Sequence, residues 1–191
     1  TVMRVLLGML EATSGSVKLD GKDISMLSTQ ERISHGLAFV PQTKNVFPSM
    51  TVEENLEMGA FLRKDNIKKT MEEVYSLFPI LYEKRKQLAE QLSGGQRQQV
   101  AFGRAMMTKP SVMLLDEPTA GVSPIVMDEI FSNILDVRDA GMAVLMVEQN
   151  AQQALNIADK GYVLVSGRNE HTGTGRELIN DPEVRKKFLG G

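Results

Sequence analysis

Two short segments decide the fold of this chain: LSGGQ at residues 92–96, and VMLLDE at residues 112–117. The first places a serine and two glycines where a helix is predicted to begin, and the N–H groups and dipole of a helix start can bind an anion. The second is an apolar run that ends in two carboxylates, which is typical of a buried strand followed by a loop. There Asp116 is placed to hold a metal ion and Glu117 to polarise a water molecule. Together, an anion-binding turn, a metal carboxylate and a base indicate nucleotide hydrolysis.

Strands alternate with helices on both sides of these segments. The predicted strands are residues 16–19, 37–40, 112–115, 143–147 and 162–165, and the predicted helices include residues 1–10, 30–34 and 94–109, one that begins at Pro124, one leading through Ala158 and a short pair around Pro182. This alternation predicts an α/β fold with a parallel sheet and right-handed crossovers. Because residues 143–147 are all apolar and show no alternation, we expect that strand to be buried on both faces of the sheet.

A helical region interrupts this pattern between residues 48 and 104. Thr51, with Glu54 three residues later, forms a capping-box sequence at its start. Apolar residues at helical spacing around Val74 predict a second, amphipathic helix, and residues 80–92 are expected to continue as charged helix. The region contains no good strand. We therefore expect one domain over residues 1–191, with a core of residues 1–47 and 105–191 and a helical subdomain of residues 48–104.

Composition narrows the possible functions. The chain of 191 residues has no cysteine and a formal net charge of −2. Disulfides and thiolate metal sites are therefore excluded, and nothing in the overall charge favours nucleic acid or an anionic membrane. The two histidines, His35 and His171, lie far apart in polar surroundings and are interpreted as solvated surface residues. No apolar run reaches the length of a membrane-spanning helix, so any membrane role is expected to be peripheral.

The order of the motifs resembles one protein family. LSGGQ followed by LLDEPT is similar to the signature and Walker B motifs of ATP-binding cassette (ABC) ATPases, and the similarity extends over the whole chain. The sequence that ends in Gln42 resembles the Q-loop of the family, residues 120–123 stand at the D-loop, and Gln149 stands at the switch position. The fold implied by this resemblance is a RecA-like P-loop NTPase core, with a mostly parallel sheet and an inserted helical subdomain.

The resemblance also implies ligands and roles. ATP and Mg²⁺ would be the cofactors, with Asp116 holding Mg²⁺ through water and Glu117 acting as the general base. Gln42 would reach the metal and sense the γ-phosphate, and Gln149 would complete the catalytic set. The nucleotide-binding residues implied by the family are Thr1, Gln42, Leu92, Ser93, Gly94, Gly95 and Gln96. Ser93 and the two glycines would bind the γ-phosphate of a nucleotide held by the opposite subunit, so that two chains face each other head to tail.

A finer resemblance concerns residues 47–56, 147–150 and 182–190. These segments are similar to the second ATPase subunit of branched-chain (hydrophobic) amino-acid importers. The implied partners are a second ABC ATPase subunit, identical or different, and transmembrane permease subunits, with no nucleic acid. The implied location is cytoplasmic, peripheral on the inner face of the cell membrane.

Three features depart from the family pattern. The glycine-rich phosphate loop with its lysine does not occur, and Thr1 aligns with the second hydroxyl residue just after that lysine. We therefore expect an N-terminally truncated cassette with little hydrolytic activity by itself, since that loop supplies the main phosphate ligands. The complete protein is expected to hydrolyse ATP. Gln149 replaces the switch histidine of most relatives, and it can donate a hydrogen bond without carrying a positive charge. Ser123 stands where many D-loops have aspartate.

Two alternative functions remain open from the sequence. One is a soluble ABC ATPase that acts on nucleic acid or in translation. The interval between Gln42 and the signature motif contains no sustained heptads, and no basic linker is visible, so neither feature of those relatives is present. The other alternative is a non-catalytic half that only contributes its signature motif to a partner's site.

Overall fold

In the computed structural model, which describes residues 1–189, three parallel strands form the central sheet. The strands are β1 (Lys18–Leu19), β2 (Lys22–Asp23), β3 (Leu37–Val40), β4 (Val112–Asp116), β5 (Ala143–Val147), β6 (Gly161–Val165) and β7 (Arg168–Gly173). The central sheet has the order β3-β4-β5, whereas β1-β2 and β6-β7 are antiparallel hairpins. The predicted α/β fold with a parallel core sheet is confirmed, and the strands predicted at residues 37–40 and 143–147 have the predicted bounds.

Helices pack on both faces of β4 and form most of the chain between β3 and β4. They are α1 (Val2–Leu6), α2 (Thr29–Ser34), α3 (Val52–Gly59), α4 (Lys68–Leu77), α5 (Pro79–Glu83), α6 (Gly94–Met106), α7 (Pro124–Asp139), α8 (Ala151–Ile157), α9 (Gly175–Asn180) and α10 (Pro182–Val184), with a 3₁₀ turn at Ala89–Gln91 and a π-helical turn at Arg185–Leu189. Within residues 1–189, no helix combines the length and the apolarity that crossing a membrane requires.

The two faces of the sheet belong to different apolar clusters. On one face, Met113 and Leu115 of β4 join the main core with residues of α3, α4, α6 and α7. On the other face, Met3 and Leu7 pack against Leu114, so that α1 and the residue after it cover β4 from that side. Alternate residues of β4 therefore contact different layers, as the two-residue repeat of a strand requires.

The prediction that β5 is buried on both faces is wrong. Val144 and Met146 pack against the main core, but Leu145 and Val147 are 37% and 38% exposed. Leu145 lies beside Leu114 in the sheet register, on the face that carries α1. In the described part of the chain, α1 covers β4 on this face and no helix covers β5, so the strand has one half-buried and one open face. An all-apolar sequence cannot distinguish these two situations.

The prediction that residues 80–92 continue as helix is also wrong after Glu83, where α5 ends. After Glu83 the chain turns back, and Leu88 forms an isolated antiparallel bridge with Thr51. The N–H groups of Val52 and Glu53 donate to the carbonyls of Gln87 and Arg85, each at 3.0 Å. The first N–H groups of a helix have no partner inside the helix, and here non-helical backbone provides one for α3.

The first helix is shorter than the predicted residues 1–10. Arg32 is 3% exposed, and its Nη1 donates to the carbonyls of Val5 and Leu6 at 2.8 and 2.9 Å. These are the last carbonyls of α1, and Gly8 then follows in a left-handed conformation with φ of 74°. A side-chain donor and a left-handed glycine are common helix ends, so α1 stops at Leu6. Similarly, α6 ends at Met106 rather than Lys109.

Candidate active site

Four of the proposed site residues lie at one edge of the sheet. Asp116 is the last residue of β4, and Glu117 follows it. Gln42 comes two residues after β3, and Gln149 two residues after β5. Since the three strands are parallel and in register, their carboxyl ends meet at the same edge, where open α/β sheets place their ligands.

Glu117 is held on two sides. Its Oε2 accepts a hydrogen bond of 3.0 Å from Nε2 of Gln42, and its backbone N–H donates to the carbonyl of Val147 at 2.8 Å. Its φ is 46°, a left-handed conformation that is uncommon for a residue with a side chain. Such a conformation persists where surrounding contacts determine it. The strand end, the bond to β5 and the bond to Gln42 therefore orient the carboxylate that would act as base.

The oxygen atoms at this edge are suitable ligands for a magnesium ion. Asp116 is half-buried, and Gln42 uses its amide nitrogen on Glu117, which leaves its amide oxygen without a hydrogen-bond partner in the described residues. Residues 1–189 contain no cluster of three or more His, Cys, Asp or Glu side chains that could hold a metal by themselves. Mg²⁺ prefers oxygen ligands and commonly takes one or two protein groups, with water and phosphate oxygens completing its shell. Asp116 and Gln42 fit that requirement.

The signature turn is built as a helix start. Ser93 is the N-cap residue of α6: its Oγ accepts from the N–H of Gln96 at 3.2 Å, and its own N–H donates to Oε1 of Gln96 at 3.1 Å. Leu92 is buried, and its carbonyl accepts from Nη1 of Arg97 at 2.6 Å. The turn is thus fixed before any ligand arrives. The N–H groups at the first positions of a helix have no intrahelical partner and can receive an anion.

The two glycines of this turn have different surroundings. Gly94 is exposed, and a Cβ atom added there would meet nothing within 4 Å. Gly95 is buried, and an added Cβ would lie 2.6 Å from Oε2 of Glu129 on α7. The close atom at Gly95 is the end of an exposed glutamate side chain, which can rotate away, so packing alone does not require glycine there. At Gly94 the open space is on the side where a ligand could approach.

The structure does not join all the predicted site residues. Among residues 1–189, no hydrogen bond connects the turn at residues 92–96 with Gln42, Asp116 or Glu117. Thr1 is exposed, stands at the N-cap of α1 and makes no side-chain capping bond. The sheet-edge residues and the signature turn are consequently two separate groups.

The histidines do not form a metal site in the described chain. His35 is exposed, and its Nδ1 lies 2.8 Å from the carbonyl of Glu31 on its own helix. His171 is more covered than the sequence suggested, with a side chain that is 19% exposed and an Nε2 that lies 4.0 Å from Glu183.

A second set of contacts at the sheet edge has no role in the sequence-based interpretation. The carboxylate of Glu148 accepts hydrogen bonds from the N–H groups of Gln149, Asn150 and Thr119, and Nδ2 of Asn150 donates to Oγ1 of Thr119 at 2.8 Å. These bonds join the loop after β5 to the loop after Glu117. The sequence analysis used residues 147–150 only for the finer family resemblance and as polar residues at the end of a predicted strand, and it gave Glu148 no role.

A further contact links the loop after β3 to α6. Nδ2 of Asn45 donates to Oε1 of Gln98 at 2.8 Å, and Gln98 is buried on the helix that begins at Ser93. The loop that carries Gln42 is therefore attached to both groups of site residues.

A parallel sheet whose edge carries a carboxylate pair, together with a glycine turn at a helix start, is the arrangement expected of an α/β nucleotide hydrolase. The family model described as ABC transporter matches residues 1–120. The chain belongs to this family, and it is an ATPase of the ABC type.

Individual relatives cover the whole chain. The high-affinity branched-chain amino acid transport ATP-binding protein BraG of Pseudomonas aeruginosa is 43% identical over 192 residues, which are 100% of this chain and 82% of BraG. The probable branched-chain amino acid transport ATP-binding protein LivF of Archaeoglobus fulgidus is 41% identical over 100% of this chain and 81% of its own length. Among solved structures, the ADP conformation of MJ1267, an ATP-binding cassette of an ABC transporter, has a TM-score of 0.87 at 28% identity and covers 100% of this chain and 82% of MJ1267.

Proposed function

We propose that this chain is the ATP-hydrolysing subunit of an importer for branched-chain amino acids. The observation that carries the proposal is the 43% and 41% identity, over the whole chain, to two ATP-binding proteins of branched-chain amino acid transport. The ATPase would work at the inner face of the cell membrane, bound to permease subunits that form the path for the solute.

The sheet-edge residues would carry the hydrolysis. Asp116 would hold Mg²⁺ through water and Gln42 would reach it from the neighbouring strand; the ion, when bound, neutralises charge on the phosphates. Glu117 would accept the proton of the attacking water, for which its held conformation and its bond to Gln42 prepare it. Gln149, exposed at the end of β5, would donate a hydrogen bond to the γ-phosphate.

The signature turn would serve a nucleotide on another subunit. The N–H groups of Gly94 and Gly95 at the start of α6 have no intrahelical partner, whereas that of Ser93 donates to Oε1 of Gln96. No hydrogen bond in residues 1–189 joins this turn to Glu117. Two cassettes facing head to tail would bring the turn of one chain, with Leu92 and Gln96 supporting it, to the nucleotide of the other. Thr1 would lie beside the nucleotide held by its own chain.

ATP-driven closure would be passed to the permease through the helical region. We propose that residues 48–104 form a subdomain inserted between core segments 1–47 and 105–191. The loop after β3 contacts this region through the bond between Asn45 and Gln98. A ligand bound at Gln42 can shift the region only if the closed arrangement binds ATP more tightly than the open one.

The test uses the ATPase assembled with its permease subunits in proteoliposomes. Glu117→Gln should lower ATP turnover on the order of 10²-fold or more and retain a nucleotide-bound dimer, because the base is lost while binding is kept. Glu170→Gln, an exposed carboxylate on β7 outside the helical region, is the control and should behave as wild type. Turnover that survives Glu117→Gln would remove Glu117 from the mechanism. ATP-dependent uptake of leucine, isoleucine and valine should exceed uptake of a charged amino acid, and the reverse preference would refute the substrate class.

A further inference from the structure

The carboxylate of Glu148 is the centre of a hydrogen-bond cluster between two loops. Its Oε1 accepts from the N–H groups of Gln149 at 2.8 Å and Asn150 at 3.1 Å, and from Nδ2 of Asn150 at 3.3 Å. Its Oε2 accepts from the N–H of Thr119 at 3.3 Å. The same side chain thus binds the loop that follows β5 and the loop that follows Glu117.

Thr119 and Asn150 complete the connection. Nδ2 of Asn150 also donates to Oγ1 of Thr119 at 2.8 Å, and Thr119 is 1% exposed. The backbone bond from Glu117 to Val147 is a third link between the loops. Because Thr119 is buried, its N–H and hydroxyl depend on these partners in place of water.

Only a carboxylate satisfies every donor in this cluster. An ionised carboxylate accepts at both oxygens and donates nothing, and hydrogen bonds to a charged acceptor are stronger than those between neutral groups. A glutamine at position 148 could direct its amide oxygen to Gln149 and Asn150. Its NH₂ group would then face the N–H of Thr119, so the link to the other loop would be lost.

The cluster holds the backbone of Gln149 and leaves its side chain uncommitted. Glu148 and Asn150 are half-buried, whereas Gln149 is exposed, and the side chain of Gln149 makes no hydrogen bond within residues 1–189. The residue proposed to contact the γ-phosphate therefore projects from a peptide that is fixed relative to Glu117.

We propose that Glu148 is a positioning residue, which uses the links to Thr119 and Asn150 to hold Gln149 and Glu117 in one arrangement. This inference rests on the proposed role of Gln149 in hydrolysis. Loss of the hydrogen bonds made by Glu148 should leave ATP binding intact and slow the chemical step. The phosphate ligands are unchanged, whereas Gln149 and Glu117 lose their fixed separation.

The structural part of the test is amide hydrogen exchange in the full chain. Glu148→Gln should accelerate exchange at the Thr119 amide on the order of tenfold, as expected for the loss of one hydrogen bond to a charged group, and exchange at Gln149 should change less. Glu170→Gln, an exposed carboxylate on β7, is the matched control and should leave both amides unchanged. If the Thr119 amide exchanges at the same rate in Glu148→Gln and in the control, the proposed link between Glu148 and Thr119 is refuted.

The catalytic part of the test compares kcat with KM in the assembled transporter. Glu148→Gln should lower kcat on the order of tenfold with KM for ATP within about twofold of wild type. Thr119→Val should act in the same direction and Thr119→Ser should retain activity, which covers the case in which Glu148→Gln does not fold. Faster exchange at Thr119 with an unchanged kcat would overturn the positioning role.

A Gln149→Ala variant distinguishes a failure of the positioning role of Glu148 from a failure of the proposed function. If Gln149→Ala lowers kcat and the Glu148 and Thr119 variants do not, the positioning role alone is wrong. If Gln149→Ala has no effect, the proposed role of Gln149 in hydrolysis is wrong and the positioning role is refuted with it. If the wild-type transporter does not hydrolyse ATP, the proposed function itself is wrong.

Discussion

Replacing Gly59 by alanine should destabilise the protein, because α3 approaches α6 without space for a side chain. A Cβ atom on Gly59 would lie 2.1 Å from the carbonyl oxygen of Arg104 and 2.9 Å from its carbonyl carbon. Both are backbone atoms of α6, and they cannot rotate away as the end of a flexible side chain could. The two helices must therefore separate, and the apolar contacts of Leu56 and Gly103 between them must loosen.

The magnitude follows from two opposing effects. Overpacking of a well-packed interior costs about 1–3 kcal/mol, and a clash with backbone belongs at the upper end of that range. Alanine in place of glycine within a helix returns about 1 kcal/mol of helix propensity. The net loss for Gly59→Ala should be about 2 kcal/mol of unfolding free energy, which corresponds to a decrease in Tm of roughly 4–8 °C for a chain of this size.

Urea unfolding followed by circular dichroism measures this loss, and Gly94→Ala is the matched control. A Cβ atom at Gly94 meets nothing within 4 Å, so that substitution has no clash to overcome and should be neutral or stabilising by up to about 1 kcal/mol of helix propensity. If Gly59→Ala is as stable as Gly94→Ala, the close contact between α3 and α6 does not exist in solution, and the reasoning from the backbone distance is refuted.

Two further predictions concern a helix cap and an ion pair. Ser93→Ala should cost about 1 kcal/mol of unfolding free energy, because it removes the acceptor for the N–H of Gln96, whereas Ser93→Thr keeps an acceptor and should cost little; equal stability of the two variants would contradict the capping role. Arg63 donates two hydrogen bonds to Asp65 and lowers the pKa of that carboxyl from 3.8 to about 2. The pair is therefore fully stabilising above pH 4, and its contribution is lost as the pH falls towards 2. The stability difference between wild type and Asp65→Asn, measured by urea unfolding, should shrink over that interval, and a difference independent of pH would contradict it.

Much of the fold could be predicted from local sequence signals. The run at residues 37–40 is short, apolar and followed by Pro41, and it forms β3 with those bounds. The capping box of Thr51 and Glu54 is present with both of its reciprocal hydrogen bonds. Each of these features depends on a few neighbouring residues, so the sequence contains the whole physical cause.

The features that were mispredicted depend on distant parts of the chain. The burial of Leu145 is decided by what covers β5, and the end of α1 is decided by Arg32, which reaches two carbonyls from another helix. The conformation after Glu83 is decided by the N–H groups of α3, which require carbonyl partners. Periodicity describes which residues are apolar, but it does not describe which surface or donor they will meet.

The candidate site shows the same contrast between features with a local sequence signal and features that depend on distant residues. The motifs in the sequence predicted roles for Asp116, Glu117 and the signature turn, because nucleotide hydrolysis would require specific residue types at fixed spacing. The role of Glu148 was not visible, since a glutamate after a strand has no special meaning until its neighbours are known. Its significance comes from Thr119, a buried residue whose N–H lies 3.3 Å from the carboxylate.

The loop after β3 gives the two groups of site residues a physical connection. Gln42 contacts Glu117 at the sheet edge, and farther along the same loop Asn45 contacts Gln98 on α6, the helix that presents Ser93. A nucleotide that draws Gln42 towards its metal and γ-phosphate would therefore pull on the helix whose start is offered to the other subunit. On this view Glu148 and the loop have complementary tasks. Glu148 would keep the hydrolytic groups of one chain fixed, and the loop would let occupancy of that chain's site change the half-site proposed to face its partner.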